Sequence, residues 1–216
     1  MSKVAVLGSG QVGQALADGF LKHGHDVMRA SRDPKKLADW KAGAGEKAKT
    51  GTLAEAATWG EVVVLAVKGT AAESAIEQAG VTNLAGKTVL DTTNPIAEKP
   101  PQNGVLQYFT NFDESLMERL QKKAPAAHFV KAFSCVGNAF MVNPQFPGGP
   151  PTMFICGNDA AAKAETRTIL VQFGWDISDM GTAEAARAIE PLCILWCIPG
   201  LTGQGWTHAF KLLRLP

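Results

Sequence analysis

Residues 3–13 read KVAVLGSGQVG, a short β-rich run that ends in Gly8, with Gly10 and Gly13 completing the spacing G-x-G-x-x-G. This stretch limits the possible folds more than any other. A strand must stop at a tight turn, the backbone beyond it must carry little side chain, and a helix must start at once. Val12, Leu16, Gly19 and Phe20 then recur at helical spacing, which gives that helix one face to lay on a sheet. Gly24 stops the helix, and Asp26 to Ala30 supplies a second strand, closing a βαβ unit of about 30 residues. Gly8 permits the turn, Gly10 lets an anion approach the backbone, and Gly13 lets the helix press on the strand. The free N–H groups at the helix start, with their partial positive charge, suit the pyrophosphate of a dinucleotide.

The second strand runs into ASRDPKK, residues 30–36. A site for NAD usually offers a carboxylate here for the ribose hydroxyls, but this chain offers a hydroxyl and cations. The 2′-phosphate of NADP would be repelled by a carboxylate. Arg32 can give it paired hydrogen bonds and stack on adenine, Ser31 can donate one more, and Lys36 can add a point charge. Asp33 opposes this pattern, yet it can cap the helix that Pro34 begins and point away. The expected cofactor is therefore NADP(H).

Further along, GTLAEAATWG reads as a helix, EVVVLAV as a buried strand, GTAAESAIEQAG as a helix and KTVLDTTNP as a strand that breaks at Pro95. IAEKPPQNG is a loop, Asp113 to Ala124 a helix, and Phe129 to Phe133 a strand. After the break VNPQFPGGPP come a strand TMFICG, a helix from Ala160 to Phe173, a strand near Trp175 to Met180, and a last helical region that includes His208. Strands separated by helices imply right-handed βαβ units. The expected fold class is α/β: a Rossmann-type wound, mostly parallel sheet with a small C-terminal α/β lobe. Residues 1–142 would form the NADP-binding domain, and residues 143–216 the lobe that adds to the acceptor site and a dimer contact.

A formal charge of +1 leaves no polybasic surface for nucleic acid or acidic lipid. No apolar run reaches the roughly 20 residues that span a bilayer. The N-terminus opens directly into a strand without the layout of a secretory signal, and the four cysteines are dispersed, which suits a reducing cytoplasm. Cys193 and Cys197 are spaced i,i+4 but lack a second ligand pair, so no metal site is expected and they read as an apolar stripe. Cys135 reads as a packing residue, with redox sensitivity second. His23 and His25 read as surface positions at a helix end.

VAVLGSGQVGQALADGFLKHGHDV, SRDPKK, DTTNP, KAFSCVGNAF and RAIEPL resemble, in order, segments of the F420-dependent NADP reductase family. The likeness covers nearly the whole chain and is looser after Gly148. It implies a small Rossmann-type protein, usually a homodimer, that passes the pro-S hydride between NADPH and the deazaflavin F420. It implies that Ser9, Gly10, Gln11 and Val12 line the pyrophosphate turn and that Ser31, Arg32 and Lys36 hold the 2′-phosphate. Ala66, Val67 and Lys68 would pass beside the ribose and diphosphate, with Asn94 and Pro95 near the nicotinamide ribose. The cytosolic portions of membrane ferric reductases share the fold and a similar KAF stretch; with no membrane segment in this chain, that branch is the lesser expectation. Archaeal F420-using members carry histidine at the place of Ser134, and relatives of other specificity carry KAFN, so the resemblance speaks more firmly for NADP(H) than for the acceptor.

Hydride transfer between two rings needs stacking in a dry slot and no general acid. A carbonyl or imine reductase would need a proton donor, for which Lys131 and Ser134 are the candidates; otherwise Lys131 is a solvent-facing residue at a strand start. A third reading is a protein that senses NADP(H) without turnover. The acceptor would be a small molecule, either F420 or another flavin-like ring. IPGLTGQGW near the C-terminus, with three glycines and Trp206, either floors the acceptor site or joins two helices across a dimer interface.

Overall fold

Val4 to Leu7 and Val62 to Leu65 are apolar at every position and buried on both faces, so they must be central strands of a sheet covered by helices above and below. The computed structural model describes residues 1–215 and bears this out. The Rossmann half runs β1 (Lys3–Leu7), α1 (Gln11–Lys22), β2 (Asp26–Ala30), a 3₁₀ turn Pro34–Leu37 that leads into α2 (Ala38–Gly43), β3 (Ala48–Gly51), α3 (Leu53–Trp59), β4 (Val62–Leu65), α4 (Gly69–Ala79), β5 (Thr88–Asp91), α5 (Leu116–Lys123) and β6 (His128–Lys131). Then follow β7 (Thr152–Gly157), α6 (Ala160–Gln172), β8 (Asp176–Asp179), α7 (Ala186–Ile189) and α8 (Leu192–Leu201). One sheet holds all eight strands in the order β3-β2-β1-β4-β5-β6-β7-β8. Every neighbour is parallel except β6 and β7. The residues after 143 thus continue the same sheet.

The alternation of side chains divides the core between the two faces of the sheet. Ala5, Leu7, Val63, Leu65, Val89 and Phe129 pack under α3, α4 and α5. Val4, Val6, Val64, Leu90 and Val130 pack under α1 and α6, with Phe20, Phe133, Phe173 and Trp175 filling the far end. Thr52 and Ser115 start α3 and α5 with reciprocal capping boxes to Glu55 and Glu118. This explains why α5 begins at Leu116 rather than Asp113.

Several boundaries differ from the sequence reading for physical reasons. β3 was not foreseen: AKTG carries no periodic apolar signal, and only its pairing with β2 makes it a strand. β5 ends at Asp91 because the Asp91 carboxylate accepts from the Thr93 backbone and hydroxyl and turns the chain. β6 ends at Lys131, since Phe133 sits at φ 60°, in the left-handed region that a phenylalanine enters only under constraint. His208 is not helical. α8 ends at Leu201, and the glycines after it at φ 86° and 101° lead the chain back, with the Trp206 ring against Gly200.

Lys131 requires a larger correction. It lies at the end of β6, not at a strand start, and its side chain has no solvent exposure. Its ammonium lies 2.6 Å from Asp91 Oδ2 and 2.9 Å from Glu190 Oε1, and it donates to the Thr93 carbonyl at 2.8 Å. Both Glu190 oxygens also accept, from the first two backbone N–H groups of α5. Burial alone would depress the lysine, but the two carboxylates outweigh it and hold Lys131 above its ordinary value. Lys131→Met should destabilise the fold by about 3–5 kcal/mol at neutral pH, because it strands two buried carboxylates. Urea unfolding of the variant measures the deficit; a loss below about 1 kcal/mol would contradict this electrostatic account.

Candidate active site

The C-terminal ends of β1, β2 and β4 converge on a cavity of about 320 Å³. Its floor is the Gly8–Gly10 turn, its far rim is Ser31 and Arg32, and Ala66, Val67 and Lys68 form the opposite wall. The glycines act as their spacing demands. A Cβ on Gly8 would lie 2.0 Å from the Ala66 carbonyl oxygen, and one on Gly13 would lie 2.4 Å from the Gly8 oxygen. A Cβ on Gly10 would meet nothing within 4 Å, so the space above it is open to a ligand.

At the rim, Arg32 and Lys36 are exposed, and their side chains make no hydrogen bond or ion pair among the described residues. Ser31 is buried, and its hydroxyl oxygen accepts from the Asp33 N–H at 3.2 Å, leaving its proton to donate. Asp33 accepts from the Lys35 N–H as cap of the 3₁₀ turn, which takes its charge away from the cavity. Gln11, Val12, Gly13 and Lys36 border the turn or the rim without lining the cavity.

Val67 and Lys68 also belong to a second, adjoining cavity of about 600 Å³, bounded by Thr92, Asn94 and the segment Ile96–Pro100. That segment is one arm of a flap. Ile96 bridges Tyr108, Gln102 bridges Val105, and the Asn103–Gly104 turn between them has φ 52° and 80°. The Tyr108 hydroxyl anchors the flap by donating to the Glu190 carbonyl at 2.7 Å. Pro95 is buried just behind and does not line either cavity.

Asn94 Nδ2 donates to the Ser134 carbonyl at 3.0 Å, joining DTTNP to KAFSCVG. Asn94 Oδ1 and Ser134 Oγ are both buried without a partner among the described residues. Such orphan polar atoms commonly mark places where a ligand or water completes the set. Neither Lys131 nor Tyr108 is a free acid–base group. Lys131 is consumed by Asp91 and Glu190, and burial holds the Tyr108 phenol far above its ordinary range. Burial also pushes the Cys135 thiol up to about 12, so it stays a thiol and packs.

Cys193 and Cys197 lie with sulfurs 4.0 Å apart, and no metal-ligating cluster of three or more such residues exists among the described residues. His25 is buried, not on the surface: Nδ1 accepts from the Ser2 N–H and Nε2 meets Gln172. Trp206 packs on Trp196 and Gly200 within the chain.

The sequence reading missed Leu53, Ser74 and Gln78, which line the first cavity from α3 and α4, and it missed Arg29, which lies beneath the glycine turn. Ser74 and Gln78 are spaced i,i+4 and hydrogen bonded at 2.8 Å, a spacing visible in the sequence once α4 is known to face the site.

Residues 3–95 match the family model described as NADP oxidoreductase, coenzyme F420-dependent. A candidate F420-dependent NADP reductase from Arthrobacter sp. FB24 has 33% identity and a TM-score of 0.91, over 99% of this chain and 100% of that one. The chain belongs to this family of NADP-dependent oxidoreductases. A hypothetical protein from Sinorhizobium meliloti follows at 26% identity and a TM-score of 0.73, over 86% of this chain and 87% of that one. Metalloreductase STEAP3 from Rattus norvegicus is 30% identical over 220 residues, which cover 98% of this chain and 42% of that protein. The chain thus spans about two-fifths of that relative's length. No helix among the described residues is long and apolar enough to cross a membrane.

Two glycine variants should separate packing from binding. Gly13→Ala drives a methyl into the Gly8 carbonyl and should cost about 1–3 kcal/mol of stability as well as coenzyme affinity. Gly10→Ala should stay within about 1 kcal/mol of wild type, yet lose dinucleotide binding, because its methyl fills the open space above the turn. Thermal unfolding and dinucleotide titration on both variants check the contrast.

Proposed function

We propose that NADPH binds with its adenosine half in the first cavity and its nicotinamide toward the second, and that it passes hydride to a flat deazaflavin such as F420 or to a flavin-like ring. The observation that carries this reading is the pairing of two adjoining cavities across Val67 and Lys68, the first with a free cation at its rim in Arg32. The bridging phosphates rest on the N–H groups of the Ser9–Gln11 turn, where the helix dipole of α1 assists. The 2′-phosphate meets Arg32 and the Ser31 hydroxyl, with Lys36 adding charge from the next turn.

The nicotinamide end lies near Asn94, which lines the second cavity and is hydrogen bonded to the Ser134 carbonyl behind it. The larger cavity under the flap accommodates a ring stacked on the nicotinamide. Hydride passes from carbon to carbon when the two rings lie about 3–3.5 Å apart, and the protein's part is to hold that distance and exclude water. Lys131 is held in its buried ion triad and so does not serve a carbonyl or imine acceptor as the proton donor at the product heteroatom.

Arg32→Ala should weaken NADPH binding by about tenfold or more while leaving NADH nearly unchanged. Equal losses for both coenzymes would contradict the assignment of the 2′-phosphate. The acceptor is tested by following NADPH oxidation near 340 nm while F420, FMN, FAD, ferric chelates and simple carbonyls are offered in turn. Turnover with the deazaflavin or a flavin supports the proposal; turnover with carbonyls alone would overturn it.

A further inference from the structure

Arg29 stands in β2 opposite Val6, on the sheet face that α1 covers, and is only 2% exposed. A buried guanidinium must find acceptors, since it carries five donors and cannot shed its charge. It finds them in the glycine-rich turn. Nε donates to the Gly8 carbonyl at 3.2 Å, and one terminal nitrogen donates to the Ser9 and Gly10 carbonyls at 2.8 and 3.0 Å. The Gly10 oxygen also accepts from the Gln14 N–H, the first hydrogen bond of α1. Trp40 covers the outer side, with its ring centroid 5.3 Å from the guanidinium carbon, and its indole N–H donates to Asp18 of α1 at 2.7 Å. The arginine is thereby held between α2 and α1 beneath the turn.

This arrangement has a directional consequence. In a trans peptide the N–H points opposite to the C=O. No peptide bond in the described chain is cis. Carbonyls 8, 9 and 10 are fastened to Arg29, so the N–H groups of Ser9, Gly10 and Gln11 point the other way, toward the cavity. The Ser9 and Gly10 N–H groups have no acceptor among the described residues. A row of donors aimed at an open space above Gly10 is an anion cradle.

We propose that Arg29 is a positioning residue that presets this cradle from beneath, holding the turn in its diphosphate-binding conformation and setting a buried positive charge under the diphosphate. The inference rests on the coenzyme reading above. Presetting the turn removes part of the ordering cost of binding. It acts on the bridging phosphates that NADPH and NADH share, whereas Arg32 acts on the 2′-phosphate that only NADPH carries.

The test compares wild type with Arg29→Met, which keeps a stem under Trp40 but no donors, and Arg29→Lys, which keeps the charge with fewer donors. Each is titrated with NADPH, NADH and adenosine 2′-monophosphate, the last having a 2′-phosphate but no diphosphate. Arg29→Met should weaken NADPH and NADH by one common factor, about tenfold or more, with adenosine 2′-monophosphate held within about twofold. Arg29→Lys should fall between, with the loss in KM for NADPH and kcat at saturation unchanged. Unaltered dinucleotide affinity in both variants overturns the proposal, as does a proportional loss of all three ligands, which marks general damage to the fold. If Arg29→Met does not fold, Arg29→Lys decides by the same pattern at smaller size. A wild type that binds no dinucleotide overturns the coenzyme reading together with this inference; a wild type that binds while both variants match it overturns this inference alone.

Discussion

The Lys131 ammonium, wholly removed from water, lies between Asp91 of β5 and Glu190, which follows α7, and donates to the Thr93 carbonyl. Few contacts reach as many parts of this chain. Glu190 caps α5 through two backbone N–H groups, and its own carbonyl receives the Tyr108 hydroxyl that anchors the flap. Asp91 sets the turn through Thr93 from which Asn94 reaches the Ser134 carbonyl. Strands β5 and β6, the C-terminal helices and the flap beside the second cavity are therefore tied to one buried charge. Replacing such a cluster with well-packed apolar residues can match it in stability, so its value here lies in fixing the relative placement of those elements.

Around this anchor the site uses backbone more than side-chain chemistry. Close packing at Gly8 and Gly13 brings the start of α1 down onto β1 and β4, and Arg29 fastens the turn from below. Unengaged charges stand at the rim, in Arg32 and Lys36, and on the wall, in Lys68. This division suits hydride exchange: the cofactor supplies the reactive carbon, and the protein supplies position, selectivity and dryness. A nearly neutral chain can thus show a locally cationic rim without a general attraction for polyanions.

Much of this was legible in the sequence because each local signal agreed with its neighbours. The glycine spacing, the apolar run VVVL and the cations after β2 all specify one wound sheet and one edge of it where a cavity opens. What escaped depended on contacts distant in sequence. Lys131 and Glu190 are 59 positions apart, so nothing local showed that the lysine was buried and paired. AKTG became a strand only because β2 offered it a partner. Phe133 entered the left-handed region because its ring is locked among Phe173 and Trp175 while its N–H meets the Met153 sulfur. Arg29 occupies a strand position whose inward direction follows from alternation with Val27, but its partners are backbone carbonyls, which sequence patterns do not display.

The most direct test of the central claim is a crystal structure of the protein with NADP⁺ bound. The account predicts the 2′-phosphate within hydrogen-bonding distance of the Arg32 guanidinium and the Ser31 hydroxyl, the bridging phosphates on the Ser9–Gln11 N–H groups, and the nicotinamide opening into the cavity beneath the flap. A coenzyme whose 2′-phosphate points into solvent, with the nicotinamide outside that second cavity, would contradict it.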